Sequence, residues 1–124
     1  MTKSVVASPL TFRNNPALAN LNDQYVFIMG GTFRTISTTD FYDIARDSWT
    51  KGPKMTLPRY YLSACILSGI LYAFNGHTPY DESIESLNAK GLVNGQDANW
   101  QRIKLVKDQL HVRYYPYITP INDN

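Results

Sequence analysis

The sequence predicts an all-β chain of repeated four-stranded antiparallel units, and three observations predict it. First, landmarks recur: Gly30-Gly31, Tyr42-Asp43, Trp49 and Pro58-Arg59 return as Asn75-Gly76, Leu87-Asn88, Trp100 and Arg113. Second, two apolar runs without polar alternation, Tyr25–Met29 and Ile70–Phe74, stand at matching places in the two passes. Third, pairs that favour tight reversals bracket those runs: Asn22-Asp23 and Ser68-Gly69 before them, Gly30-Gly31 and Asn75-Gly76 after them. The period is 45 residues from Gly31 to Gly76, 46 from Arg13 to Arg59, 51 from Trp49 to Trp100 and 54 from Arg59 to Arg113. A repeat of roughly 45 to 50 residues is the length of a β-propeller blade rather than of a solenoid or helical array.

Each repeat reads as four short strands, A to D from the inside outwards. Strand A is expected at residues 16–21, 61–67 and 115–121, the last because residues 13–24 and 113–124 align at an offset of 100 with Arg, Pro, Asn and Asp shared. Strand B is Tyr25–Met29 and then Ile70–Phe74, where continuous apolarity implies burial on both faces. Strand C is expected at 38–43 and 83–88, and strand D from Ser48-Trp49 and from Asn99-Trp100. In the second repeat a longer loop, residues 89–98 with the turn pair Asn94-Gly95, separates C from D and explains the wider Trp-to-Trp spacing.

The run YVFIMGG (25–31), then FYD (41–43), Trp49 and PRYY (58–61), resembles the kelch repeat. The second copy departs from that pattern at Asn75, Leu87 and Asn88, and the resemblance covers about residues 13–124. It implies a kelch-type β-propeller segment with blades at 13–51 and 59–105 and the first strand of a further blade at 113–121. Two blades cannot close a ring of the usual four to eight. The chain is therefore expected to be part of an incomplete ring, a piece of a larger propeller or a short product leaning on further blades from the same or another chain.

Composition narrows the class of function. In 124 residues, 44% hydrophobic content suits an ordinary core, and nine Tyr, five Phe and two Trp beside seven Gly and seven Pro suit strands and turns. Twelve basic and ten acidic side chains are scattered without a basic stripe, so nucleic acid is not an expected partner. A single cysteine, Cys65, excludes an internal disulfide, and no apolar window approaches the roughly 18 residues of a membrane span. A cytoplasmic protein is the expectation. His77 and His111 show no metal-ligand spacing, and no phosphate loop or nucleophile elbow is present, so neither cofactor nor catalysis is expected.

Gly30, Gly31, Gly76, Tyr42, Asp43, Trp49 and Trp100 read as structural: glycines for sharp turns beside another backbone, aromatics for the wedge between twisted sheets. Arg59 and Arg113 open innermost strands, where a guanidinium reaches loop carbonyls of an adjacent blade or a ligand. Partner contacts are expected on the B–C loops, which a rigid frame leaves free to vary: Phe33 and Arg34 in the first, His77, Tyr80 and Asp81 in the second. Kelch resemblance implies a non-catalytic protein-interaction module, with cytoskeletal proteins or ubiquitin-ligase substrates as partners. The alternative it leaves is a fragment of a kelch-fold enzyme acting on a sugar or small metabolite. Galactose oxidase, a copper enzyme on similar blades, uses a cysteine-linked tyrosine, but Cys65 lies in the apolar run SACIL and reads as packing.

Overall fold

The computed structural model describes residues 13–31, 36–76 and 83–103. They form two four-stranded antiparallel sheets, ordered β1(Ala17–Leu21), β2(Tyr25–Met29), β3(Thr39–Asp43), β4(Ser48–Lys51) and β5(Ser63–Leu67), β6(Ile70–Phe74), β7(Ile84–Asn88), β8(Gln101–Ile103). Both predicted B strands have the expected limits, the first two A strands and both C strands start one or two residues later than expected, and the A strand expected at 115–121 lies outside the described residues.

Turn chemistry sets the register. Asn22 and Asp23 sit at φ 56° and 58°, and Ser68 and Gly69 at 51° and 79°, the paired positive φ that lets a hairpin turn follow strand twist. The first hairpin holds one residue more: Leu21 pairs with Tyr25 across three residues, whereas Leu67 pairs with Ile70 across two. Gln24 is the extra residue, and its N–H closes the turn on the Leu21 carbonyl at 3.0 Å. That insertion is why the repeat offset falls from 46 at the arginines to 45 at the glycines.

Between β7 and β8 the structure corrects the expected loop. Residues Ala89–Val93 form a short helix, α1, capped by Asn88, whose side chain accepts the Gly91 N–H at 3.0 Å. Asn94-Gly95 is the expected turn, and it ends this helix. A helix of five residues is too short to show a 3.6-residue apolar period. The fourth strand of the second sheet consequently starts at Gln101, with Trp100 just before it.

Opposed residues in an antiparallel pair share a face, so the register divides each sheet into two. The first sheet turns Ala17, Ala19, Leu21, Phe27, Met29 and Phe41 toward Leu71, Ala73, Leu87 and Trp100 of the second, with Ala64 and Ile66 packed against them. This inner layer is the core, and β1 lies beside β5 along it. Phe27 and Phe41 meet at 5.2 Å between ring centroids. On the opposite face of the first sheet, Tyr42 stacks on Trp49 at 5.0 Å and donates its hydroxyl hydrogen to Asp47 across the β3–β4 turn.

Two predictions follow from these turns. A Cβ at Gly76 (φ 86°) would stand 2.5 Å from the Tyr60 carbonyl oxygen, and one at Gly30 (φ 66°) 2.5 Å from that of Arg59, whereas a Cβ at Gly95 (φ 87°) meets nothing within 4 Å. Gly95→Ala should cost only the roughly 1–2 kcal/mol of left-handed backbone, and Gly30→Ala and Gly76→Ala clearly more, read as a larger fall in Tm. The Tyr42 phenol is held above its ordinary 10.0, first by the hydrogen bond to Asp47, then by desolvation and by the charges of Asp47 and Asp43. A raised folded value means this contribution is complete below pH 10 and lost as pH climbs through the folded value. In alkaline melts the stability gap between the native chain and Tyr42→Phe should therefore close above pH 10.

Candidate functional site

Both connections from second to third strand leave the same rim, and each is fastened at its base by a buried arginine. In the first sheet, Arg13 Nη1 donates to the carbonyls of Gly30 and Thr38, at 2.9 and 3.0 Å, which are the two ends of the β2–β3 loop. In the second, Arg59 Nη1 donates to the carbonyls of Asn75 and Ser83, at 2.8 and 3.4 Å, the two ends of the β6–β7 loop. One guanidinium thus staples each loop shut at its neck. Planar, always charged and rich in donors, arginine suits a task in which two carbonyls and a carboxylate converge.

The carboxylates come from the third strands. Arg13 Nη2 meets Asp40 Oδ2 at 2.9 Å, and both Nε and Nη2 of Arg59 meet Glu85 Oε2, at 3.0 and 2.9 Å. All four side chains are essentially without exposed surface. The two pairs differ by one methylene, with consequences. Glu85 also takes the Thr56 N–H on Oε1 at 2.6 Å, whereas buried Asp40 Oδ1 and Arg13 Nε meet no hydrogen-bond partner among the described residues.

Backbone bonds carry the link from one sheet to the next. Gly31 donates to the Arg59 carbonyl at 3.0 Å, Arg59 N–H donates to Ile36 at 3.2 Å, and Met55 N–H to Ser37 at 2.8 Å. The neck of the first loop is therefore held by Arg13 from its own sheet and by the main chain of Arg59 from the following one. Trp100 makes the outer counterpart of this link. Its indole N–H reaches Thr39 Oγ1 and the Pro53 carbonyl, at 3.2 and 3.1 Å.

Gly30, Gly31 and Gly76 stand at the loop necks, as their turn chemistry requires. Tyr42, Asp43 and Trp49 lie on β3 and β4, and Asp43 accepts the Arg46 N–H at the turn. Arg59, grouped with the partner contacts on sequence, is wholly buried and presents no surface to a partner. Its guanidinium binds carbonyls of its own sheet, and its main chain reaches the neighbour. Phe33, Arg34, His77, Tyr80, Asp81 and Arg113 lie outside the described residues. Sequence reading missed Asp40 and Glu85. Their signal is an acid two residues after Thr38 and Ser83, at the 45-residue offset of the glycines, opposite Ile28 and Lys51 in the first sheet and Ala73 and Arg102 in the second.

No protein-family model matches this chain, and no curated protein is similar to it.

Removing one member of a buried ion pair costs about 3–5 kcal/mol, more than replacing both by apolar groups of like size. Arg59→Ala should therefore leave the chain largely unfolded at room temperature. Arg59→Met with Glu85→Leu should recover part of that loss and no more, because the Asn75 and Ser83 carbonyls and the Thr56 N–H lose the bonds that Arg59 and Glu85 make to them. Thermal melts of the three chains check both the order and the shortfall.

Proposed function

We propose that this chain is a segment of a kelch-type β-propeller and acts as a non-catalytic protein-interaction module. The partner protein binds through the loops at residues 32–37 and 77–82. One observation carries this reading: the segments TFRTIS and HTPYDE, unrelated in sequence, are joined to necks built alike, each stapled by a buried arginine paired to an acid. A frame held constant beneath variable tips is the economy of a recognition surface. Sheets whose first strands, β1 and β5, run side by side while later strands step outward also fit blades set around an axis.

The proposed partner is a protein, of a cytoskeletal kind or a substrate delivered to a ubiquitin ligase, because the tips combine Phe33, Arg34, His77, Tyr80 and Asp81. Neither nucleic acid nor membrane is proposed: basic residues are scattered, and among the described residues no helix is long and apolar enough to cross a membrane. One half-buried cysteine, its thiol pushed up by burial, fits the proposed cytoplasmic location.

The test is an alanine series at Arg34, His77, Tyr80 and Asp81, read by pull-down and by melting. At least one of Arg34→Ala and Tyr80→Ala should weaken partner recovery about tenfold or more with Tm unchanged. A series that leaves the partner set intact would overturn the rim assignment.

A further inference from the structure

The two sheets expose to each other faces that are not the same face of the repeat. Carried back by the repeat offset, the inner residues of the second sheet, Ala64, Ile66, Leu71, Ala73 and Leu87, correspond to Leu18, Asn20, Val26, Ile28 and Tyr42, which form the outer face of the first. Carried forward, the inner residues Ala17, Ala19, Leu21, Tyr25 and Phe27 correspond to Ser63, Cys65, Leu67, Ile70 and Tyr72, on the outer face of the second. The sheets thus stack front to back, and the molecule ends in one front and one back. Leu18 is 59% exposed, and Val26, Ile28, Cys65, Leu67, Ile70 and Tyr72 are only partly covered, whereas Phe74 and Ile84, at the loop end of the second sheet's outer face, are buried within the chain.

What suits each outer face is already written in the core: the face of the repeat that covers its counterpart inside. We infer that a second copy of this chain docks there, its second sheet's outer face against the first sheet's outer face, continuing the internal interface. A cleft of about 410 Å³ marks the join, opening on the second sheet among Ile70, Ser86, Asn88, Asp97, Asn99 and Gln101. Inside the molecule Trp100 and Leu92 of α1 reach the first sheet beside Thr39, Gly52 and Pro53. Trp49, the counterpart of Trp100, stands on the first sheet's outer face beside Tyr42. A front-to-back contact is heterologous, so it closes into a ring or runs on as a filament. Rings of about four to eight sheets correspond to two, three or four copies.

Sedimentation velocity on the full chain tests this. A discrete particle of two to four copies is expected, and a monomer at every concentration overturns the proposal. Leu18→Arg breaks one face and Tyr72→Arg the other, each weakening self-association at least about 100-fold. Mixed, the two variants keep one intact face each and should form a 1:1 dimer and nothing larger. A mixture that stays monomeric, or either variant assembling as the native chain does, refutes a heterologous contact. Melts establish that the variants fold, and Gln101→Arg, at an exposed position of the same face, stands in should Tyr72→Arg fail. Cys65, in the row of Tyr72, gives an independent readout: its alkylation should slow as the chain assembles, and an unchanged rate would count against docking at that face. The equivalence of faces carries this proposal without the rim loops, so loss of partner binding and loss of assembly are separable results.

Discussion

A charge buried on the third strand of each sheet, and the arginine that neutralises it, is the constraint from which the rest of the described structure can be built. Asp40 and Glu85 are fully covered, and an ionised carboxylate in such surroundings is tolerated only when a partner and further donors meet it. Each arginine enters from just before the first strand, so the pair ties the innermost strand to the third across the second. In doing so it sets the depth at which the second strand must end. The carbonyls of Gly30 and Asn75, both at positive φ, turn back onto the guanidinium. Loop neck, strand length and glycine position are thus consequences of one ion pair per repeat.

Those ion pairs are unequal. Glutamate reaches far enough to engage Nε and Nη2 and to accept the Thr56 N–H, while aspartate is one methylene shorter and leaves Asp40 Oδ1 and Arg13 Nε without a partner among the described residues. Thr56 belongs to the connection that leads from the first sheet into Arg59, so the tighter clamp sits where two sheets are joined through described chain. The looser one sits beside the first sheet's outer face. Stability is in this way weighted toward the seam between the sheets, which also holds the Trp100 bonds and the Gly31–Arg59 link.

Much of this was legible from residues alone because the informative signals are local. Positive-φ pairs at 22–23 and 68–69 and apolar runs of five residues fix hairpins without reference to anything distant, and B strands came out at their expected limits. The helix at Ala89–Val93 was not legible, since one capped turn carries no periodicity and Asn94-Gly95 serves a helix end as well as a hairpin. Nor was the role of Arg59. Its strand position suggested reach toward a neighbour, but only coordinates reveal that Glu85 lies within its own sheet and draws the side chain inward. An acid in an apolar strand reads as a solvated exception until its partner, 26 residues away, is seen beside it.

Divergence between the copies follows the same logic of what covers each position. Tyr42 and Leu87 are equivalent in the repeat, yet one is half-exposed and the other buried in the seam. A tyrosine keeps its hydroxyl where Asp47 can accept its hydrogen; in the seam, among Leu71, Ala73 and Phe27, the same hydroxyl would be stranded, and leucine replaces it. Trp49 and Trp100 are both retained because an indole tolerates either setting, provided its N–H finds an acceptor, and the seam supplies Thr39 and Pro53 to Trp100. The second copy's departures from the first are therefore no decay of the pattern. Leu87 is the substitution that this position requires once its face has been closed by a neighbouring sheet.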